Sequence, residues 1–203
     1  MRLVPVDNIK RIDKSQLGNA FLRVPAITCQ VPDPARYKTI TYNGLSREEA
    51  ISSGLIPKKD VVYIVDFKIG SAEHINVVQF QNEDLHFDYV GVSEGAFGQR
   101  MARIGIALTT LKDGTYCKHK TKDGHPGAKA AFDLYSDIDF WKVRILPLDA
   151  PVFRYLGIED LYEAEQKILD LYRPLCNTVT KSKVNRKPPP KNERAKLPFK
   201  KKI

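Results

Sequence analysis

The clearest helix of the chain lies within the stretch IEDLYEAEQKILDLYRPLCN, residues 158–177. Its apolar residues recur at helical spacing, so we expect a helix over residues 158–172 that ends before Pro174. With the first residue at zero and about 100° per residue, Glu165 falls at about −20°, in the middle of the apolar face, whereas Glu163 falls on the far side. A carboxylate on a buried face needs an arginine or lysine, a proton or a cation beside it. Glu165 is therefore either a core acid paired with an arginine or a metal-binding or catalytic group.

Four further segments have the composition of strands. The run VVYIV at residues 61–65 is β-branched and aromatic, which is typical of a buried strand. We also expect strands at residues 88–92 (DYVGV) and 140–146 (FWKVRIL), and a strand or hairpin arm at residues 74–81 (HINVVQFQ).

Three more helices are predicted between and before these strands. Apolar residues at i, i+4, i+7, i+11 and i+14 indicate an amphipathic helix over residues 96–111, and a second follows at residues 124–135. A short helix near residues 45–50 has Ser46 as its N-cap and Glu49 as the capping-box partner. From residue 60 onward the order is β-β-α-α-β-α. It predicts an α/β (α+β) fold with a small, mainly antiparallel sheet flanked by helices.

The net charge of +9 has one source. Residues 178–203 hold ten of the 33 lysines and arginines and one of the 24 acids, so residues 1–177 are formally neutral. We expect an N-terminal extension at residues 1–59, a main domain at residues 60–178 and a basic, disordered tail at residues 179–203. The tail either keeps the protein in solution or contacts a polyanion.

Cys29, Cys117 and Cys176 lie far apart in the sequence and form no C-x-x-C pair. This spacing argues against both a disulfide framework and a zinc site, and it favours a reducing, cytoplasmic location. The sequence also contains no signal peptide and no long apolar stretch, so we expect no membrane association.

Two tyrosines and one arginine are further candidates for a functional site that includes Glu165. Tyr63 and Tyr89 lie on neighbouring predicted strands, and Gly91 beside Tyr89 allows a close approach of another group. Arg100 falls on the edge of the apolar stripe of its helix, where it either pairs with a core acid or binds a phosphate through its planar fork of donors. Arg103 falls on the solvent side.

In this order, the residues resemble the GIY-YIG nuclease family. The run VVY at residues 61–63 resembles the GIY strand, and YVG at residues 89–91 resembles the YIG element. The most specific piece is E-x-x-I-L-x-x-Y-R-P-x-x-N at residues 165–177, which is similar to the corresponding helix end in bacterial excision-repair nucleases. The residues that match catalytic positions of the family are Tyr63, Tyr89, Arg100, His125, Glu165 and Asn177.

This resemblance implies a metal-dependent DNA endonuclease of restriction, homing or phage type. Glu165 would hold Mg²⁺ or Mn²⁺, Arg100 would stabilise the transition state, and Tyr63, or failing it Tyr89, would accept the proton of the attacking water. Asn177 is expected to tie the helix end to the sheet. DNA would be the partner, with a homodimer one way to cut both strands. The residues expected to contact it are Lys68, Arg103, Lys118, His119 and Lys129.

The chain also departs from the family pattern. Val61 replaces the usual glycine, and the two tyrosines are 26 residues apart, which implies an inserted hairpin. Ile104 stands where the family usually has a histidine or tyrosine, so the proton acceptor is one of the two tyrosines or comes from the loop that holds Tyr116, His119 and His125. Two alternatives remain: a catalytically inactive nucleic-acid-binding protein on the same fold, and an unrelated structural domain whose tail binds protein or RNA.

Overall fold

The computed structural model describes residues 6–31, 39–67, 77–80, 83–86, 88–116, 124–136 and 138–177. The elements, in chain order, are α1 Val6–Arg23, β1 Ile27–Gln30, β2 Thr41–Tyr42, α2 Arg47–Ser52, β3 Val61–Asp66, β4 Val77–Phe80, β5 Glu83–His86, β6 Tyr89–Ser93, α3 Phe97–Lys112, α4 Pro126–Tyr135, β7 Phe140–Pro147, α5 Pro151–Tyr155 and α6 Leu161–Tyr172.

Five strands form one sheet in the order β2-β1-β7-β3-β6, and every neighbouring pair is antiparallel. The strand expected at VVYIV, β3, pairs with β7 on one side and β6 on the other. The segment between β3 and β6 contains a separate two-stranded sheet, β4 and β5, which agrees with the expected hairpin. The α+β fold with an antiparallel sheet is therefore confirmed.

Helices cover both faces of this sheet. Alternate residues of β3 point to opposite sides: Val61, Tyr63 and Val65 pack with α3 and α4, whereas Val62 and Ile64 pack with α1, α5 and α6. Because both faces are buried, β3 is a continuous apolar run and shows no alternation of apolar and polar residues.

The N-terminal residues belong to this sheet, so the extension expected at residues 1–59 is not a separate unit. Strand β1 pairs with β7, and α1 packs its fully buried Leu17 and Phe21 against the cluster beneath α6. Arg144 on β7 also donates hydrogen bonds to backbone carbonyls at the end of α1, the shortest being 2.5 Å to the carbonyl oxygen of Val24. These contacts hold the C-terminal end of α1 against the sheet.

The last helix begins three residues later than expected. Asp160 is the N-cap of α6, since its side chain accepts hydrogen bonds from the backbone N–H groups of Tyr162 and Glu163 at 2.8 and 3.3 Å. A short helix that was not predicted, α5, lies earlier in the chain at Pro151–Tyr155. The capping box of Ser46 and Glu49 in front of α2 is confirmed. Among the described residues, no helix is both long and apolar enough to span a membrane.

Strand β6 is the edge of the sheet, and the residues directly after α6 cover part of it. The Asn177 side chain accepts from the Val90 N–H and donates to the Val90 carbonyl, both at 2.9 Å. The backbone N–H of Cys176 donates to the carbonyl oxygen of Asp88 at 2.8 Å. Together these contacts satisfy backbone groups that an exposed edge strand would leave open.

The Asn177→Ala substitution should therefore destabilise the protein by roughly 1 to 3 kcal/mol, because it removes both side-chain partners of Val90. Urea unfolding followed by circular dichroism measures the effect. Asn8→Ala, at an exposed position of α1, is the matched control and should leave the midpoint unchanged. Equal midpoints for the two variants would contradict this role of Asn177.

Candidate active site

Tyr63 and Tyr89 form a pair on one face of the sheet. Their ring centroids lie 6.4 Å apart, and hydrogen bonding between their hydroxyls raises the pKa of Tyr63 and lowers that of Tyr89. Gly91 lies directly opposite Tyr63 in the β3–β6 register. A Cβ atom at Gly91 would lie 2.5 Å from the Tyr63 hydroxyl oxygen, so only glycine leaves room for that ring.

The two tyrosines differ in their access to solvent. Tyr63 is 1% exposed and packs edge-on against Phe97 of α3 at 5.4 Å, whereas Tyr89 is half-buried. Burial raises the pKa of Tyr63 well above its ordinary value, with a smaller contribution from Tyr89. Burial and the charge of Glu165 raise the pKa of Tyr89 to about 12, while Arg100 and the hydrogen bond from Tyr63 oppose that rise.

His125 lies next to Tyr89 and begins α4. Its Nδ1 accepts a hydrogen bond from the backbone N–H of Ala128 at 3.1 Å, and its ring centroid lies 5.2 Å from that of Tyr89. Desolvation and the positive charges of Arg100 and Arg103 lower the pKa of His125 to about 4. The ring is therefore neutral near pH 7 and, because Nδ1 is an acceptor, carries its proton on Nε2. A histidine in this state is a hydrogen-bond donor and a poor base.

Glycine again makes room for the tyrosine at the start of α4. A Cβ atom at Gly127 would lie 2.5 Å from the ring of Tyr89, so the helix can approach the tyrosine this closely only without a side chain there. The two glycines at positions 91 and 127 thus shape the walls around the tyrosine pair.

Arg100 of α3 and Glu165 of α6 are both half-buried, and both act electrostatically on Tyr63 and Tyr89. On the surface of α6, Glu165 lies within the buried stripe, next to Leu161, Ile168 and Leu169, and is itself half-buried. Helix α6 packs against β6, the strand that carries Tyr89, and the charge of Glu165 acts on that phenol.

Tyr162 is a further residue of α6 near Glu165. It lies three residues before Glu165, on the same side of α6, and its hydroxyl donates to Oε1 of the exposed Glu94 at 3.0 Å. Hydrogen bonding to Glu94 adds to the effect of burial in raising the pKa of Tyr162, while Arg100 lowers it and Glu165 raises it. Tyr162 therefore lies within electrostatic range of the predicted arginine and glutamate, although the sequence alone did not single it out.

The donor set around Glu165 suits one kind of metal site. Within the described residues, no three histidine, cysteine or acidic side chains form a group that could enclose a metal ion. Mg²⁺ is usually bound by one or two carboxylates, with water and substrate phosphate as its remaining ligands. A half-buried carboxylate that acts on the same phenols as an arginine fits such an open site and does not fit a closed zinc or calcium cage.

The other predicted residues have diverse surroundings. The side chain of Asn177 is hydrogen-bonded to the backbone of Val90, so it ties the end of α6 to the sheet edge, as expected. Arg103 is exposed, and Lys129 pairs with Asp133 one turn later in α4 at 2.5 Å. Ile104 is fully buried in the core, and Tyr116 is half-buried against the same core. Lys68, Lys118 and His119 lie outside the described residues.

One buried acid organises the site although sequence reasoning missed it. Asp88, immediately before Tyr89, accepts hydrogen bonds from the backbone N–H of Phe67 and from the Tyr135 hydroxyl, both at 2.7 Å. It thereby ties β6 to the end of β3 and to α4, the two elements that flank Tyr89. The only signal in the sequence was its place at the start of the DYVGV strand, which did not distinguish it from a strand-end acid.

None of the known protein families, curated proteins or solved structures compared with this chain matches it.

The low pKa of His125 should make the fold sensitive to acid. Below pH 6.5 the histidine takes up a proton in the unfolded chain, whereas in the folded protein it stays neutral down to about pH 4. The folded protein therefore loses stability as the pH falls through this window. We expect a loss on the order of 1 kcal/mol per pH unit from this residue. Urea unfolding at several pH values tests it, with His125→Asn as the comparison, because asparagine can still cap α4 but does not titrate. A pH dependence that is identical in both proteins would contradict the assignment.

Proposed function

We propose that this protein is a metal-dependent DNA endonuclease that hydrolyses phosphodiester bonds. One observation carries the proposal: Tyr63, Tyr89, Arg100, His125 and Glu165 come from five different elements and meet at the edge of the sheet. A cation, a carboxylate, a neutral imidazole and two phenols are together sufficient for phosphate binding, metal binding and proton transfer. The resemblance of these residues to the GIY-YIG pattern motivates the choice of substrate.

Arg100 is the group best suited to the phosphate. Its guanidinium is permanently charged, half-buried and close to both tyrosines, so it can stabilise the extra negative charge of a pentacovalent transition state. The Nε2–H of His125 can donate to another phosphate oxygen. Because His125 is neutral near pH 7, it adds a hydrogen bond at this point without adding charge.

Tyr89 is better suited than Tyr63 to accept the proton of the attacking water, which reverses the preference drawn from the sequence. Tyr63 is almost completely buried, whereas Tyr89 is half-buried. Hydrogen bonding between the two hydroxyls also lowers the pKa of Tyr89 and raises that of Tyr63, as it would if Tyr63 were the donor. Tyr63 then acts as the donor that supports the reactive tyrosine.

Glu165 is the side chain that would hold the divalent cation. A bound Mg²⁺ or Mn²⁺ would supply charge neutralisation at the scissile phosphate and support for the leaving oxygen. The remaining work falls to the residues of the chain: Arg100 orients the phosphate, His125 donates to it, and Tyr89 takes the proton. Burial keeps the pKa of Tyr89 at about 12 even with Arg100 present, so the added positive charge of the cation would be needed to lower it towards the working range.

A plasmid-cleavage assay with and without Mg²⁺ tests the proposal. The wild type should cleave only with the metal, and Glu165→Gln should lower the rate by at least about a hundredfold while DNA binding persists. Glu163→Gln is the matched control, because Glu163 is exposed on the same helix and should be dispensable. Undiminished cleavage by Glu165→Gln would exclude the metal role of Glu165.

The roles of the two tyrosines are separable by their pH profiles. If Tyr89 is the base, the rate should rise about tenfold per pH unit below its pKa in the complex, and Tyr89→Phe should lose roughly a hundredfold or more. Tyr63→Phe should remain active but be slower at neutral pH by roughly tenfold, because loss of the donated hydrogen bond raises the pKa of Tyr89. Its rising limb should shift to higher pH.

The opposite pattern, with Tyr63→Phe inactive and Tyr89→Phe shifted, would assign proton transfer to Tyr63. Equal and pH-independent losses in both variants would mean that neither tyrosine is the base.

A catalytically inactive nucleic-acid-binding protein is the second candidate. It is favoured by the buried Ile104, which offers no proton acceptor at a position where the resembled family usually has one. If the wild type binds DNA but does not cleave it with Mg²⁺ or Mn²⁺, the inactive binding protein is the correct candidate.

A further inference from the structure

A groove of about 660 Å³ runs along the end of α6 and the first turns of α1. Its charged lining residues are Lys10, Lys167, Arg173 and the acidic Asp170. Lys167 pairs with Asp13 at 2.5 Å, but within the described part of the chain Lys10 and Arg173 form no ion pair, and both are exposed. The groove therefore has an excess of positive over negative charge, which comes from Lys10 and Arg173.

Arg173 stands out for its backbone. It follows α6 in the left-handed conformation, with φ of 49° and ψ of 61°, and its N–H closes the helix on the carbonyl of Leu169. Glycine or asparagine is the residue that helices normally place here, because a longer side chain strains this conformation. The following Pro174 adds to the restriction. An arginine kept in this strained conformation suggests that its side chain has a function.

The groove lies close to the candidate active site. Asn177 lines it and is hydrogen-bonded through its side chain to Val90, the residue after Tyr89. From Asn177 the chain continues into residues 178–203, which contain ten lysines and arginines in the sequence. The groove therefore extends to the residue that borders β6 next to Tyr89.

We propose that this groove binds the phosphate backbone of DNA on one side of the scissile bond, through Lys10 and Arg173. The proposal rests on the proposed function. It assigns a DNA-contacting role to Lys10, outside the family resemblance, and to Arg173, which lies within the resembling segment 165–177 but matches none of its catalytic positions. Contacts of this kind position the duplex without reading its sequence. Each one releases counterions from the DNA, so each contributes to the salt dependence of binding.

The test measures duplex binding by fluorescence anisotropy at several salt concentrations. All proteins are full-length and carry Glu165→Gln, so that the DNA is not cut. Lys10→Gln and Arg173→Gln should each reduce the slope of log affinity against log salt by about 1 and weaken binding several-fold for any sequence. Arg173→Lys should retain the slope. Arg154→Gln, at an exposed arginine of α5, is the control and should change nothing.

Thermal unfolding separates the backbone from the side chain. Arg173→Gly should bind DNA as weakly as Arg173→Gln but melt at a higher temperature than its parent, because glycine relieves the left-handed strain. Slopes that stay unchanged in both Lys10→Gln and Arg173→Gln, while the parent binds DNA, would overturn this inference and leave the nuclease proposal standing. A parent that does not bind DNA, together with a wild type that does not cut, would instead overturn the nuclease proposal.

Discussion

The antiparallel pairing of β3 with β6 is the constraint on which the rest of the site depends. It sets Tyr63 opposite Gly91 and so creates the space into which the Tyr63 ring fits beside Tyr89. A shift of β6 by one residue against β3 would turn Tyr89 to the other face of the sheet, towards α1 and α6, and away from Tyr63. Two contacts fix the start of β6: Asp88 accepts a hydrogen bond from the Phe67 N–H, and Asn177 bonds to Val90 on the outer side of the strand.

The edge position of β6 explains how charges from both layers of helices reach the same tyrosines. Arg100 approaches from α3 on one face, whereas Glu165 belongs to α6, which packs on the other face. In the middle of a sheet these two side chains would be separated by a strand layer. At an edge they can share one environment, and the partial burial there strengthens their action on the phenols.

The same partial burial shifts the pKa values of the titratable groups in the site in different directions. Desolvation keeps His125 neutral and both tyrosines protonated, so no group in the resting protein is a strong base near neutral pH. Hydrogen bonding between the two phenols makes them unequal, because it raises the pKa of the buried Tyr63 and lowers that of the half-buried Tyr89.

The local elements were predictable because their signals are short-range. The capping box of Ser46 and Glu49, the apolar spacing of α3 and the β-branched run of β3 each depend on residues a few positions apart. Tyr63, Tyr89, Arg100, His125 and Glu165 could likewise be named as candidates from their residue types and order. The helix α1 was missed because its first two turns are exposed, with Val6 and Ile9 on the surface, and its apolar periodicity is correspondingly weak.

The sequence by itself thus determined the antiparallel α+β class, most of the elements of residues 60–177 and the chemical groups of the candidate site. Only the tertiary structure decided that β1 and β2 extend the same sheet, that Asp88 ties together the elements around Tyr89, that Tyr162 lies within electrostatic range of Arg100 and Glu165, and that Tyr89 is the more accessible of the two tyrosines. The physical reason is that strand order, burial and hydrogen-bond partners depend on contacts between residues far apart in the chain, which no local pattern records.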